Sequence, residues 1–274
     1  MPELPEVETV RQTLRHNILG KTISKVKVNY QRMITGDVGD FIQRLEGKTL
    51  IEINRKGKYL IFEFSDDLYL ISHLRMEGKY FIQNESDPTT KHDHVIIDFT
   101  DKVSLRYNDV RKFGTMELKT SSELFSTHPL NKLGCEANHL TLGYLKEKIN
   151  NKHRDLKAFL LDQEMIAGIG NIYADEICFK SKLHPKQDIY YLKDEDLINI
   201  CNASKEVIDN AILAGGTTIR SYTSSLGVTG LFQLQLNVHT MVNKPCPKCE
   251  NLIIKVRVSG RGTYICENCQ KIKI

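Results

Sequence analysis

Ile23-Ser-Lys-Val-Lys-Val28, Tyr59-Leu-Ile-Phe-Glu-Phe64, His94-Val-Ile-Ile-Asp-Phe99 and Val103-Ser-Leu-Arg-Tyr107 are short runs of period two that recur between Lys21 and about Leu118. Side chains on a strand alternate between its faces, so each run offers one apolar face to a core. The spacing predicts an antiparallel β-sandwich. Just upstream the period is different: Val7, Val10, Leu14 and Ile18 lie three and four apart with charges between them, and Gly20 stands where a helix would stop. A helix over residues 5–18 therefore opens the chain.

Downstream, Lys119 to Asn138 carries no clear period and ends in Asn131-Lys-Leu-Gly134, which places a domain boundary there. Helical patterns follow over Leu142–Ile149, Asp155–Met165, Asn171–Ser181 and Asp194–Leu213. The tail from Cys246 to Cys269 reads as short β runs between cysteine pairs. The class expected is α+β. A leading helix and antiparallel β-sandwich would occupy residues 2–130, a helical domain 134–228, and a small C-terminal module 236–274.

A chain of 274 residues is too long for one small core and suits two modest domains with an appended module. At 41% hydrophobic and 26% charged it is an ordinary globular composition, with no repeat or low-complexity tract. A net charge of +4 permits an anionic partner without requiring one. The first twenty residues carry Glu3, Glu6, Glu8, Arg11 and Arg15, and no apolar run reaches the roughly eighteen residues of a membrane span. A cytoplasmic protein without a membrane partner is expected. No pattern demands an oligomer, so a monomer is expected.

Seven cysteines without a secretion signal argue against a disulfide framework, and four of them fall within the last thirty residues. Cys246-Pro-Lys-Cys249 and Cys266-Glu-Asn-Cys269 place four thiolates on two tight turns, which suits one tetrahedral zinc ion in a closed structural site. A redox dithiol is the weaker alternative, because it would not need the second pair. So small a hairpin cannot bury enough apolar surface to hold itself, so the metal would fix the loop containing Gly260-Arg261-Gly262. Cys135, Cys178 and Cys201 are scattered and read as plain buried thiols.

The opening Met1-Pro-Glu-Leu-Pro-Glu-Val-Glu8 sets a proline and three carboxylates beside the α-amine. Proline in a first turn and acids at a helix's positive end have a purely structural explanation. The chemical alternative is that loss of Met1 leaves Pro2 as a secondary amine. Such an amine titrates near 8, so a usable neutral fraction could attack carbon.

Pro2-Glu-Leu-Pro-Glu-Val-Glu8 together with the cysteine pairs resembles the formamidopyrimidine-DNA glycosylase family. The resemblance continues through Arg55-Lys-Gly-Lys-Tyr-Leu60, His73-Leu-Arg-Met-Glu-Gly78, Lys91-His-Asp-His94, Asp109-Val-Arg-Lys-Phe-Gly114, Gly168-Ile-Gly-Asn-Ile-Tyr173 and Gly260-Arg-Gly-Thr263, in order over nearly the whole chain. It implies a helix–two-turn–helix architecture for the second domain and a zinc-binding β-hairpin at the end. It also implies a bifunctional glycosylase and abasic-site lyase acting on oxidised purines in double-stranded DNA. Pro2 would be the nucleophile, Glu3 the proton donor and Glu6 a support. Lys58 and Arg261 would clamp phosphates beside the damaged nucleotide, with Lys58 also an acid in elimination. A solvated lysine is the bland reading of Lys58.

The same resemblance assigns His92, Lys157 and Asn171 to the DNA backbone, and Met76, Arg111 and Phe113 to a wedge that fills the gap left by a flipped base. His92-Asp93-His94 could suggest a metal site, but neighbours on a strand face opposite ways. On the residues alone, core packing for Met76 and Phe113 and an ion pair for Arg111 remain open, and Lys157 could be solvent-facing. Gly168-Ile-Gly-Asn171 could be an ordinary turn or an anion-binding helix start with Asn171 as cap. Gly215 to Gly227, rich in glycine and small polar residues, suits a lid over the flipped base. The rivals are an endonuclease VIII-like glycosylase for oxidised pyrimidines, disfavoured by Leu4 and by Arg111-Lys-Phe113, and a non-catalytic zinc-finger DNA-binding protein.

Overall fold

The opening helix forms over Leu4–Ile18 (α1) in a computed structural model that describes residues 1–217 and 231–273. Val7, Val10, Leu14 and Ile18 are all buried, so the helical spacing marks a stripe turned to a core. Pro5 lies in the first turn, where a missing N–H costs nothing, and Glu3 with Glu6 forms a reciprocal capping box.

The strands follow as β1 (Ile23–Val28), β2 (Ile34–Thr35), β3 (Leu50–Lys56), β4 (Tyr59–Phe64), β5 (Leu68–His73), β6 (Lys79–Asn84), β7 (Asp93–Phe99), β8 (Val103–Asn108) and β9 (Thr115–Lys119). They make a four-stranded sheet ordered β1-β7-β8-β6 and a five-stranded sheet ordered β2-β9-β5-β4-β3. Leu14 of α1, Val95 and Leu105 of one sheet, and Leu60 and Leu70 of the other share a single core. Each such side chain contributes about 1.5–3 kcal/mol by leaving water.

Within the sandwich, two details depart from the sequence reading. The short β2 pairs with β9 in parallel, so the sandwich is not antiparallel throughout. A helix, α2 (Val38–Leu45), also stands between β2 and β3, with Asp37 accepting from the Asp40 N–H as its cap. Val38, Phe41, Ile42 and Leu45 carry its helical spacing, but Gly36 and Gly39 obscure it.

The first compact unit comprises Met1–Asn131 and the stretch beginning at Gly215, including α3 (Ser121–Leu124); the second comprises Lys132–Ala214 and the chain from Leu231. The second unit contains β10 (Cys135–Glu136), α4 (Leu142–Ile149), α5 (Leu156–Leu161), β11 (Ile166–Ala167), α6 (Asn171–Lys180), α7 (Asp194–Leu213), β12 (Ile254–Val258) and β13 (Arg261–Ile265). Its middle is α6, whose residues from Ile172 to Phe179 are all buried. The helix expected over Asp155–Met165 stops at Leu161, because Asp162 is extended and its carboxylate accepts from the Glu164 N–H at 3.0 Å. The chain then pairs β11 with β10, and a Cβ on Gly134 would meet the Met165 carbonyl at 2.3 Å. No helix among the described residues is long and apolar enough to cross a membrane.

Acid should loosen the first unit. Burial pushes the Glu8 carboxyl up, but hydrogen bonds from Arg11, Arg55 and Gln12 outweigh it and hold the group near 2. Burial, with Arg75 and Lys58 nearby, pushes His73 down to about 3. The Glu8 contribution is complete above the ordinary carboxylate range and is lost as pH falls toward 2. The buried neutral His73 costs nothing above its ordinary 6.5, and it costs more as pH falls from there toward 3. Both signs agree, so the urea midpoint should fall from neutral pH to about pH 4, and His73→Gln should flatten the upper part of that decline. A midpoint independent of pH would contradict both assignments.

Candidate active site and metal centre

In the first unit, Pro2, Glu3 and Glu6 are buried at the start of α1, while Met1 is half exposed. With Met1 in place the Pro2 nitrogen is a tertiary amide, so its chemistry waits on removal of that residue. Glu6 Oε2 accepts from the Glu3 N–H at 2.8 Å. Glu6 Oε1 accepts from the Thr217 N–H at 2.8 Å and the Thr217 hydroxyl at 3.1 Å. The start of α1 is thereby tied to the segment that begins at Gly215. Gly216 has φ +78°, and a Cβ there would stand 2.8 Å from Glu6 Oε1, so that approach needs glycine. The remainder of the expected lid, residues 218–227, lies outside the described residues.

Lys58 follows Gly57, whose φ of +57° closes the turn between β3 and β4. It is only 5% exposed, so the solvated-lysine reading does not hold. Close by in sequence, Arg55 Nε pairs with Glu8 Oε2 at 2.9 Å. His73 was not singled out in the sequence, yet it is buried, stacks edge-on against Tyr59 at 4.5 Å, and accepts from the Arg75 N–H at 2.9 Å. Its place at the end of a strand facing Tyr59 is a matter of register, which the alternation alone leaves open.

Met76 and Phe113 are 40% and 50% exposed, so neither is a core residue. Exposed Arg111 lays its guanidinium over the Phe113 ring at 4.7 Å. His92, half-buried, precedes β7, and its Nδ1 has no hydrogen-bond partner among the described residues. His94 turns inward, with Nε2 2.8 Å from the Asp109 carbonyl. Among the described residues the only cluster of three or more groups suited to a metal is that of the four cysteines.

In the second unit, Arg261 is exposed and follows Ser259 and Gly260, whose φ values of 48° and 78° make a tight hairpin turn. Asn171 is the first helical residue of α6, and the cap position belongs to Gly170. The Asn171 side chain instead donates to the Gly262 carbonyl at 3.1 Å.

Lys157 corrects the sequence expectation. Its side chain is fully buried, and its ammonium meets Asp175 Oδ1 at 2.7 Å, Thr263 Oγ1 at 2.8 Å and the Gly262 carbonyl at 3.3 Å. With all three N–H groups engaged, the charge lies under the hairpin and offers nothing to a phosphate. Asp175 Oδ2 also holds His239 Nδ1 at 2.8 Å. Glu176 accepts from the backbone N–H groups of Asn237, Val238 and His239, each at 2.9 Å. The available signal was Asp175-Glu176 inside an apolar helix, where unpaired acids would be too costly to bury.

The four Sγ atoms of Cys246, Cys249, Cys266 and Cys269 lie within 4.8 Å of one another. Cys246–Cys269 is 3.8 Å and Cys249–Cys266 is 3.4 Å. Tetrahedral zinc with Zn–S bonds of about 2.3 Å needs sulfurs about 3.8 Å apart, so the cluster suits that ion. Burial and the adjacent sulfurs push Cys269 up, while the Asn268 side chain pulls Cys249 down. A central dication removes that conflict by favouring four thiolates. Phe179, Val238 and Ile253 pack the cluster against the unit. Of the scattered thiols, Cys178 is fully buried and burial pushes it well up, while Cys135 and Cys201 are half-buried.

A helix that buries carboxylates beside its N-terminal proline, and a metal-held hairpin that presents an arginine, define a metal-supported protein equipped for a polyanionic ligand. Three family models match in order: the formamidopyrimidine-DNA glycosylase N-terminal domain over residues 1–116, that family's H2TH domain over 133–223, and a zinc finger found in FPG and IleRS over 243–272. The formamidopyrimidine-DNA glycosylase of Ligilactobacillus salivarius is 44% identical over 275 residues, covering all of both chains. A Lactococcus lactis Fpg (MutM) in complex with DNA containing N7-benzyl-Fapy-dG has a TM-score of 0.93 at 40% identity, over 98% of this chain and 100% of that one. A complex of Lactococcus lactis Fpg with DNA containing an abasic site gives 0.93 at 40% identity, over 98% and 99%. The chain belongs to the formamidopyrimidine-DNA glycosylase family, and it carries that family's single structural zinc site on its four terminal cysteines.

Proposed function

We infer that this protein is a base-excision glycosylase and abasic-site lyase that removes oxidised purines, 8-oxoguanine and formamidopyrimidines, from double-stranded DNA. The observation that carries this is the start of α1, where Pro2 stands beside the buried carboxylates of Glu3 and Glu6. After loss of Met1, the Pro2 amine attacks C1′ of the damaged nucleotide, the C1′–N bond breaks, and the base leaves with a proton. Glu3 protonates the ring oxygen so that the sugar opens, giving an iminium between Pro2 and C1′. That cation acidifies the C2′ proton, its loss expels the 3′ phosphate, and a second elimination expels the 5′ phosphate.

Lys58 and Arg261 hold phosphates beside the nucleotide, and Lys58 serves as an acid in elimination. His92 and Asn171 contact the backbone, and Met76, Arg111 and Phe113 fill the vacated stack. Lys157 acts through the hairpin: its bonds to Thr263 and Gly262 set the strand that Arg261 begins. Zinc supplies no chemistry here beyond holding that hairpin. The protein works as a monomer in the cytoplasm.

Borohydride trapping on a duplex with 8-oxoguanine opposite cytosine tests the reading. A covalent protein–DNA adduct is expected. A protein that binds the duplex tightly but neither traps nor excises would refute it.

A further inference from the structure

Met76 sits in one loop and Arg111 with Phe113 in another, and the chain makes the same unusual choice in both. Met76 directly follows Arg75, with φ +54°, and Phe113 directly follows Lys112, with φ +59°. Left-handed backbone is unfavourable for residues with a Cβ and persists where surrounding structure enforces it. Each loop has such an enforcer. The His73 ring accepts the Arg75 N–H at 2.9 Å. Asp109, with no exposed surface, does more: Oδ1 accepts from the Arg111 N–H at 2.9 Å, and Oδ2 accepts from Phe113 at 2.8 Å and Gly114 at 2.9 Å.

The loops also converge on one atom. A Cβ on Gly78, two residues after Met76, would stand 2.0 Å from the Tyr107 hydroxyl. A Cβ on Gly114, the residue after Phe113, would stand 1.8 Å from the same oxygen. Tyr107 is buried on β8 and stacks edge-on against Tyr80 at 5.1 Å, so its hydroxyl is a fixed post that both glycines approach closely. The exposed side chains thus stand on a base that is rigid and buried, which is costly to build for surface residues without a task.

We propose that Asp109, together with the Tyr107 hydroxyl seated between Gly78 and Gly114, is a positioning device that locks the Met76 loop and the Arg111–Phe113 loop into one preset wedge. It rests on the reading above that these side chains enter the duplex. The three side chains then pay little ordering entropy on insertion, and their mutual spacing is set before DNA arrives. Asp109 touches no substrate and acts only through the loop it staples.

The test uses the full-length, zinc-loaded protein on two substrates: a duplex with 8-oxoguanine opposite cytosine, and a single-stranded abasic oligonucleotide that needs no wedge. Asp109→Ala should slow duplex excision by about a hundredfold, the scale of a small misplacement of a working group. Asp109→Asn, which keeps one acceptor oxygen, should lose about tenfold. Both should cleave the single strand within about threefold of the unmodified protein, because the amine site is intact. Gly114→Ala, which drives a methyl into the Tyr107 hydroxyl, should give the same split by an independent route. The proposal is overturned if Asp109→Ala and Gly114→Ala excise from duplex normally, or if they lose both activities equally. It also falls, with the wedge reading, if Phe113→Ala leaves duplex excision unchanged. An unmodified protein inert on both substrates would instead point to failure of the catalytic reading beneath it.

Discussion

Pro2→Gly should lose about a thousandfold in covalent capture and strand cleavage, and a form that retains Met1 should form no adduct at Pro2 at all. The mechanism gives one atom an irreplaceable task. A proline nitrogen that attacks C1′ becomes an iminium with no N–H to shed, so the cation persists through both eliminations. Glycine at the same place offers a primary amine, whose imine can lose that charge, and it frees the backbone that proline holds at the start of α1. Retention of Met1 converts the nitrogen to an amide whose lone pair is delocalised. Met1 is half exposed, which leaves it open to an aminopeptidase. Glu3→Gln should bind damaged duplex yet lose base excision, because its amide can donate a proton to neither the leaving base nor the ring oxygen. Mass mapping of the borohydride-trapped peptide decides the matter: an adduct on Lys58, with Pro2 variants fully active, would overturn the assignment.

Removal of zinc by a chelator, or Cys249→Ser, should lower DNA binding and incision by at least about a hundredfold while the first unit keeps its fold. Metal binding supplies most of what folds so small a hairpin, since beside the four clustered sulfurs it has only a few apolar side chains and the polar ties from Lys157 and Asn171. Without the metal, β12 and β13 lose their anchor, and Arg261 with Gly262 is no longer presented to a phosphate. Arg261→Ala in zinc-loaded protein should reproduce much of the loss, because the guanidinium fork is gone while the hairpin stands. Lys157→Met should weaken binding less than Arg261→Ala but lower the melting temperature more, since it strands the buried Asp175 at a cost of about 3–5 kcal/mol. Circular dichroism and fluorescence anisotropy on the same samples separate fold from binding. Full activity in metal-free protein would show that the finger is dispensable.

Much of this was legible in the residues. Alternation marked β1, β4, β7 and β8, spacing of three and four marked α1, α4, α6 and α7, and the paired cysteines marked the metal site. Each is a local pattern with a local cause: the pleat, the helical turn, and the reach of four thiolates around one ion. The expected helix through Met165 failed for a tertiary reason, because Asp162 and the pairing of β11 with β10 end α5 early. The helix α2 was hidden by two glycines beside an otherwise regular apolar spacing.

What a residue type cannot announce is where its side chain goes once the chain is packed. Lys157 reads as one more basic residue on a helix, and only the fold shows it sealed against Asp175 on the next helix and against Thr263, 106 residues downstream. The residues alone left a surface position open for Lys58, which is buried, and core packing open for Met76 and Phe113, which are exposed. Asp109, Gly114 and Gly78 stand at the ends of stretches that carry the family resemblance and Tyr107 ends a strand run, but their joint role exists only because the fold delivers two glycines to one hydroxyl. The sequence alone determined periodicity, ligand spacing and the proline-first terminus, since these depend on neighbours along the chain. Burial, ion pairing and the cradle beneath the exposed side chains depend on partners distant in sequence, and packing alone decides those.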